Sequence, residues 1–348
     1  MCTWYLRGLG ARVVRVESPD GADFLRYAPP LDQNGDGAWF SALHAGKESV
    51  ALNLKIPSHR DAFLALLAEA DVLIESFRPR VMARLGLDPD DLRGRFPSLV
   101  ICSLTGFGQD GPLQNRPGHD LGFQALAGTL SMAPRRDGVV DVPSVQVADV
   151  GGGALTAALR IVSALLERTK TGEGTWLDVA MVDGTLAMVA PHFAAAAVAG
   201  QAPAPGGEVL TGASPQYRVY RCRDGGMLAV APLEPKFWAA LQAALGQELD
   251  PDEATLEALF MTDDRDAWAD RLADACCEPV LDFIEVGEHP HLVERGAVSG
   301  AGTAKRVSHP FVGGAETALL DSPSLGEHTT SALERVGFDP RRLEDHSG

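Results

Sequence analysis

A histidine and an aspartate thirty positions apart, His119 and Asp149, are the residues of this chain best suited to moving a proton. Each stands at a break in regular structure. Pro117-Gly118 marks a turn just before His119. Asp149 closes an apolar, strand-like run, Val145-Gln146-Val147, and opens a helix through the glycine triplet Gly151 to Gly153. Open α/β sheets bind ligands where strands end, so both residues fall where such a fold presents its site. A bland reading competes at each position: a loop histidine without a role, and an N-cap aspartate worth about 1 kcal/mol to its helix. The triplet weighs against the second. Glycines at a helix start cost about 1 kcal/mol each relative to alanine, and they suit a place where something approaches the backbone closely.

Four cations form a second group. Arg15 and Lys55 lie near strand ends, and Arg78 and Arg84 flank Pro79 after a third strand. Singly each reads as solvated surface; together they could cradle phosphates within an otherwise acidic protein. Glu234 sits between a strand and a helix, as a surface cap or as a carboxylate that orients His119. His289 and His291 are close, but no HExxH or Cys/His ligand set occurs, so no metal is expected. Neither GxGxxG nor GxxxxGK[ST] is present, which leaves a nucleotide cofactor without support.

The elements that must position these residues alternate in kind. Arg12–Val16, Ser49–Leu54, Val72–Ile74, Leu99–Leu104 and Trp176–Ala180 read as strands. A helix capped by Ser58, another near Pro79 and a third over Ala154–Arg168 separate them, which implies parallel βαβ units. Gly21 to Gly46 reads as a loop. Past an Ala-, Gly- and Pro-rich stretch, Tyr217–Val230 reads as a hairpin turning at Asp224-Gly225-Gly226, followed by helices over Pro235–Leu245 and Arg265–Cys277. A last helix falls near Ser331–Val336. The expected division is a large domain over 1–185, a linker over 186–212, a small α+β domain over 213–300 and a return segment over 301–348.

Composition sets the outer bounds. With 45% hydrophobic residues and a mean hydropathy of −0.01, the 348 residues suit a water-soluble globular protein. A formal net charge of −17 argues against nucleic acid or an anionic membrane as partner. Five cysteines without CxxC spacing fit a reduced, cytoplasmic setting. The first residues do not read as a signal peptide, and no run reads as long and apolar enough to span a bilayer.

Several longer motifs stand in order: Val14-Arg15-Val16-Glu17, Val72-Leu73-Ile74-Glu75-Ser76-Phe77-Arg78-Pro79, Thr105-Gly106-Phe107-Gly108-Gln109-Asp110-Gly111-Pro112, Gly118-His119-Asp120, Gln146-Val147-Ala148-Asp149, Leu233-Glu234-Pro235-Lys236-Phe237 and Leu325-Gly326-Glu327-His328-Thr329. On these the chain resembles the class III CoA-transferase family over nearly its whole length, and within it the α-methylacyl-CoA racemases. The resemblance implies a Rossmann-like large domain built from both chain ends, a smaller middle domain, and an interlocked homodimer with each active site between the large domain of one copy and the small domain of the other. It implies an acyl-CoA substrate held on the large domain, with no cofactor beyond the CoA that the substrate carries. His119 and Asp149 match the racemases' proton-transfer pair, and Glu234 a glutamate near the histidine. Inversion at C2 through an enolate-like intermediate follows, with N–H dipoles around Gly151–Gly153 as candidate donors to the thioester oxygen and Met181 and Met188 as candidate lining for the acyl chain. Transferases of this family use the aspartate as a nucleophile that forms an aspartyl-CoA thioester, and many carry tyrosine where His119 stands. Relatives also begin with an extra strand and a Gly/Pro-rich turn before the Leu9-Gly10-Ala11 region. A chain without them would, as a third reading, be a non-catalytic CoA-binding remnant.

Overall fold

The computed structural model describes residues 1–20, 23–311 and 320–343, and these fall into two compact units. The first takes in residues 1–127, 145–188 and the chain from 289 on; the second takes in 128–144 and 189–288.

The first unit is α/β. Strand β1, Val14–Glu17, pairs in parallel with β2, Glu48–Ala51. Strands β3, Val72–Glu75, β4, Val100–Thr105, and β5, Trp176–Ala180, form a second parallel sheet in the order β3-β4-β5. Every residue of β4 is buried, as the central strand of a sheet covered on both faces must be. Its side chains divide by alternation. Ile101 packs with Leu52, Phe63, Leu67, Leu73 and Leu333, while Val100, Cys102 and Leu104 pack with Tyr5, Leu6, Ala157, Ile161 and Val179. On the first face lies helix α1, Pro57–Ala68, which starts with Pro57 inside its first turn and Ile56 as N-cap. The expected cap, Ser58, therefore sits within the helix, its hydroxyl buried and unpaired. Proline at the first position needs no N–H partner, and here it sets the start instead.

Three further expectations change. Gly21 and Ala22 lie outside the described residues, but the predicted loop from Asp23 on contains a 3₁₀ turn over Phe24–Arg26 and a helix over Ala38–His44. Asp23 accepts from Leu25 N–H to start the turn, and Gly37 opens the helix against the Leu25 and Ala28 carbonyls, where a Cβ would collide. Val145-Gln146-Val147 is a bend and not a strand. It leads directly into a π-helix, Ala148–Leu155, which continues as helix α3, Thr156–Thr171. The 24 residues of Ala148–Thr171 are thus one helix, long and apolar enough by length and composition to cross a membrane, where no such run was expected. The glycines that read as breakers in one dimension sit inside it.

The return of the chain seals the outer edge of β2. Ser49 Oγ accepts from Gly326 N–H at 2.9 Å, Ser49 C=O from His328 N–H at 2.8 Å, and Thr329 Oγ1 from Ala51 N–H at 3.0 Å. Beneath this seam Glu17, 6% exposed, takes both a 2.7 and a 3.0 Å bond from Arg26, 3% exposed, and a 2.8 Å bond from Ser49.

The second unit is α+β. Strands β6, Arg218–Arg221, and β7, Met227–Val230, form the hairpin turning at Asp224-Gly225-Gly226, and β8, Cys277–Pro279, pairs antiparallel with the other side of β7. Helices α5, Pro235–Leu245, α6, Glu253–Phe260, and α7, Arg265–Arg271, bury Leu241, Phe260 and Trp268 against this sheet. Helix α7 ends at Arg271, short of the expected Cys277, because Cys277 is claimed by the ladder with Val230. Ala190–Ala199, within the stretch expected as a linker, is helical.

Candidate active site

His119 is an exposed residue directly before helix α2, Asp120–Ala127, whose first turn folds onto its carbonyl: Gly122 and Phe123 donate to His119 O at 2.8 and 3.2 Å. Asp149 lies in the first turn of the π-helix. It is half-buried, and its carboxyl is pushed above the usual range, first by burial and then by the Asp120 carboxylate, with His119 pulling the other way. The field of His119 thus reaches Asp149. The two groups belong to one unit and to one electrostatic neighbourhood.

The local reason for the glycines of the π-helix is steric. Helix α4, Met181–Met188, lies against it so closely that a Cβ on Gly184 would meet Gly152 backbone C at 2.7 Å and Cα at 2.8 Å, while one on Gly152 would meet Thr185 N at 2.8 Å. A Cβ on Gly151 would run into the Met188 methyl. The triplet therefore admits a helix, not a ligand. Gly152 and Gly153 are buried inside the π-helix, so the N–H groups of these two do not face a thioester oxygen. Met188 is 53% exposed beside Gly151, and Met181 packs on Gly153. A π turn sets side chains at an unusual angle and is frequent at functional sites.

The expected cations take different positions. Arg15, second in β1, is ion-paired to Asp23 at 2.8 Å and to Glu17 at 3.3 Å, and it hydrogen-bonds His44. Lys55, Arg78 and Arg84 are exposed. Arg78 lines a cavity of about 130 Å³ with Glu75, Arg80, Gln109 and Trp176, just past the C-terminal ends of β3 and β4. Glu234 is the exposed N-cap residue of α5, in the second unit, and its side chain makes no capping bond. Among the described residues no group of three or more His, Cys, Asp or Glu side chains could hold a metal ion.

The model of CoA-transferase family III matches residues 1–329. The chain belongs to CoA-transferase family III. Its relatives in that family include the alpha-methylacyl-CoA racemase of Homo sapiens, 34% identical over 98% of this chain and 90% of the relative. They include the acetyl-CoA:oxalate CoA-transferase of Acetobacter aceti, 32% identical over 88% of this chain and 83% of the relative. A CAIB/BAIF family protein from Brucella suis has the same mixed α/β fold, with a TM-score of 0.82, 28% identity and coverage of 96% and 94% of the two chains. CoA-transferase family III is thus a family of enzymes that holds both racemases and CoA-transferases acting on acyl-CoA thioesters.

In this family III chain two residues escaped the reading of the sequence. Asp120 Oδ1 accepts from Ala148 N–H at 2.7 Å and from Asp149 N–H at 3.0 Å, and Asp120 Oδ2 accepts from Gln124 Nε2 at 2.6 Å. The signal was present in Gly118-His119-Asp120, but a cap supplied from 28 positions upstream leaves no trace in local spacing.

Proposed function

We propose that the chain is an acyl-CoA racemase that inverts C2 of 2-methylacyl-CoA thioesters, with His119 and Asp149 as its two proton-transfer groups. The observation that carries this reading is that Asp149, half-buried at the start of the π-helix, has its backbone N–H bonded by the carboxylate of the residue that follows His119. A reaction run in both directions needs an acid and a base that exchange roles, and their pKa values must be close for both directions to proceed. Burial and the Asp120 carboxylate raise the affinity of the Asp149 carboxyl for its proton, which suits a group that must also act as an acid. One group removes the C2 proton, the thioester oxygen takes up enolate character, and the other group returns a proton on the opposite face. The positive end of the helix that starts at Asp120, next to His119, suits the developing oxyanion.

Lys55, Arg78 and Arg84, together with Arg15, are the candidate contacts for the CoA phosphates, and the substrate's own CoA is the only cofactor the reaction needs. In a homodimer Glu234 would come to the histidine from the small unit. Leu155, Leu159, Val162 and Leu166, 39%, 72%, 42% and 62% exposed along one face of the long helix, suit burial against a second copy. An acidic, homodimeric, cytoplasmic enzyme without nucleic-acid or membrane partners completes the reading.

The test is the wash-in of solvent deuterium at C2 across a panel of 2-methylacyl-CoA thioesters. Wild type exchanges, whereas His119→Ala and Asp149→Ala each lose at least about 100-fold. A folded protein that binds CoA and exchanges nothing defeats the proposal. If it instead moves CoA to a free carboxylate and yields an Asp149 adduct to hydroxylamine, the transferase reading replaces it.

A further inference from the structure

Asp120 joins the two halves of the site. The π-helix has no cap of its own: its N-cap residue, Val147, offers no side-chain acceptor. Its Ala148 and Asp149 N–H groups are instead taken by one carboxylate oxygen that belongs to the residue after His119. The second oxygen is held by Gln124, one turn along the same helix and 2% exposed. A buried partner at i+4 fixes the rotamer of Asp120, and Asp120 in turn fixes the backbone of Asp149. Three N–H donors converge on this carboxylate, a set that an ionised acceptor satisfies in full.

We propose that Asp120 is a positioning residue of the His119/Asp149 pair, its carboxylate tying the backbone of Asp149 to the start of the helix that follows His119 so that the two proton-transfer groups move as one body. This deepens the racemase reading and rests on it. Two groups that must reach one carbon from opposite faces tolerate little drift, and a misplacement of about 1 Å costs on the order of 100-fold. The tie also acts through charge. After burial, the Asp120 carboxylate is the largest cause of the upward shift at Asp149, with His119 opposing it. Of the other charges on elements packed against the π-helix, Asp183 is exposed, the Asp178 carboxylate accepts from Gln109 N–H, Arg7 is held by the Gly46 carbonyl and Arg160 by the Asp178 carbonyl, Arg168 pairs with Asp71 and Lys170 with Glu167.

Two variants separate position from charge. Asp120→Ala removes both; Asp120→Asn keeps an acceptor oxygen and removes the charge. In the deuterium assay on the full chain, Asp120→Ala loses on the order of 100-fold in kcat with KM for the acyl-CoA within about threefold. Asp120→Asn loses less. In the direction that uses Asp149 as base, its acidic limb moves to lower pH, because the repulsion that lifted the Asp149 carboxyl is gone. A separate readout needs no turnover: titration of the Asp149 carboxyl by ¹³C NMR in the ligand-free protein, assigned by Asp149→Asn, shows the same downward move in Asp120→Asn. Wild-type kcat in Asp120→Ala, a loss carried by KM, or an unmoved Asp149 titration in Asp120→Asn overturns the proposal. If wild type washes in no deuterium, the racemase reading falls, and the NMR titration still decides whether Asp120 governs Asp149. If Asp120→Ala does not fold, the Asp120→Asn profile and titration decide alone.

Discussion

Replacing Gly184 by alanine should unseat Asp149 without touching it. The new methyl would lie 2.7 Å from Gly152 C and 2.8 Å from its Cα, and closer still to its carbonyl oxygen, inside the 3.0 Å that Cβ atoms essentially never breach. The colliding atoms are backbone, so no side chain can rotate away, and the cost falls at the upper end of the overpacking range, about 3 kcal/mol. Alanine in a helix returns about 1 kcal/mol relative to glycine. The net loss of about 2 kcal/mol corresponds to a fall in Tm of about 4–8 °C for a unit of this size. The π-helix must shift to make room, and Asp149 moves with it, so deuterium exchange should fall on the order of 100-fold. Gly94 is the control: a Cβ there meets nothing within 4 Å, so Gly94→Ala should raise stability by up to about 1 kcal/mol. Calorimetry and the exchange assay read both variants. If Gly184→Ala melts like Gly94→Ala with full exchange, the close helix contact does not set the site.

Arg26→Ala should cost about 3–5 kcal/mol in a denaturant titration, because it strands a buried Glu17. Burial works against the charge on Glu17, but the hydrogen bonds from Arg26 and Ser49 and the nearby Arg15 outweigh it and hold the carboxyl below its usual range. A depressed carboxyl stabilises above its unfolded pKa and loses that contribution as pH falls through the folded one, so the deficit of Arg26→Ala should narrow below about pH 4; a deficit constant with pH would refute the pairing. Lys47, 3% exposed, is lowered to about 7 by burial, then by Arg15 and Arg7. The folded state therefore binds fewer protons than the unfolded one between about pH 7 and 10, and stability relative to Lys47→Met should rise across that window. Melting curves that keep a fixed separation from pH 7 to 10 would show that Lys47 stays charged.

What was legible in the sequence follows the range of the forces involved. Trp176–Ala180, Pro235–Leu245 and the Asp224-Gly225-Gly226 turn stand where local pattern put them, since apolar runs, a leading proline and a glycine turn act within a few residues. The parallel sheet was legible from the alternation of strands and helices. The π-helix was not. Val145-Gln146-Val147 has the period of a strand, and the glycines that follow look like breakers until the helix Met181–Met188 is laid against them. For the site itself, composition singled out His119 and Asp149 but not the carboxylate between them, whose partners lie 28 and 29 positions away. The end of α7 was misplaced for a related reason: Cys277 belongs to a ladder with a strand some fifty residues earlier.

The seam that closes β2 has a consequence for biosynthesis. Among the described residues, Ser49 and Ala51 find their outer partners in Gly326, His328 and Thr329, and Arg26 bonds the carbonyl of Pro323, 297 positions away. While the nascent chain leaves the ribosome, the edge of β2 stays open until the chain has been made as far as Thr329, and it offers unpaired amides to any neighbouring polypeptide. A polysome crowded with such half-finished chains is where this protein would most need a chaperone.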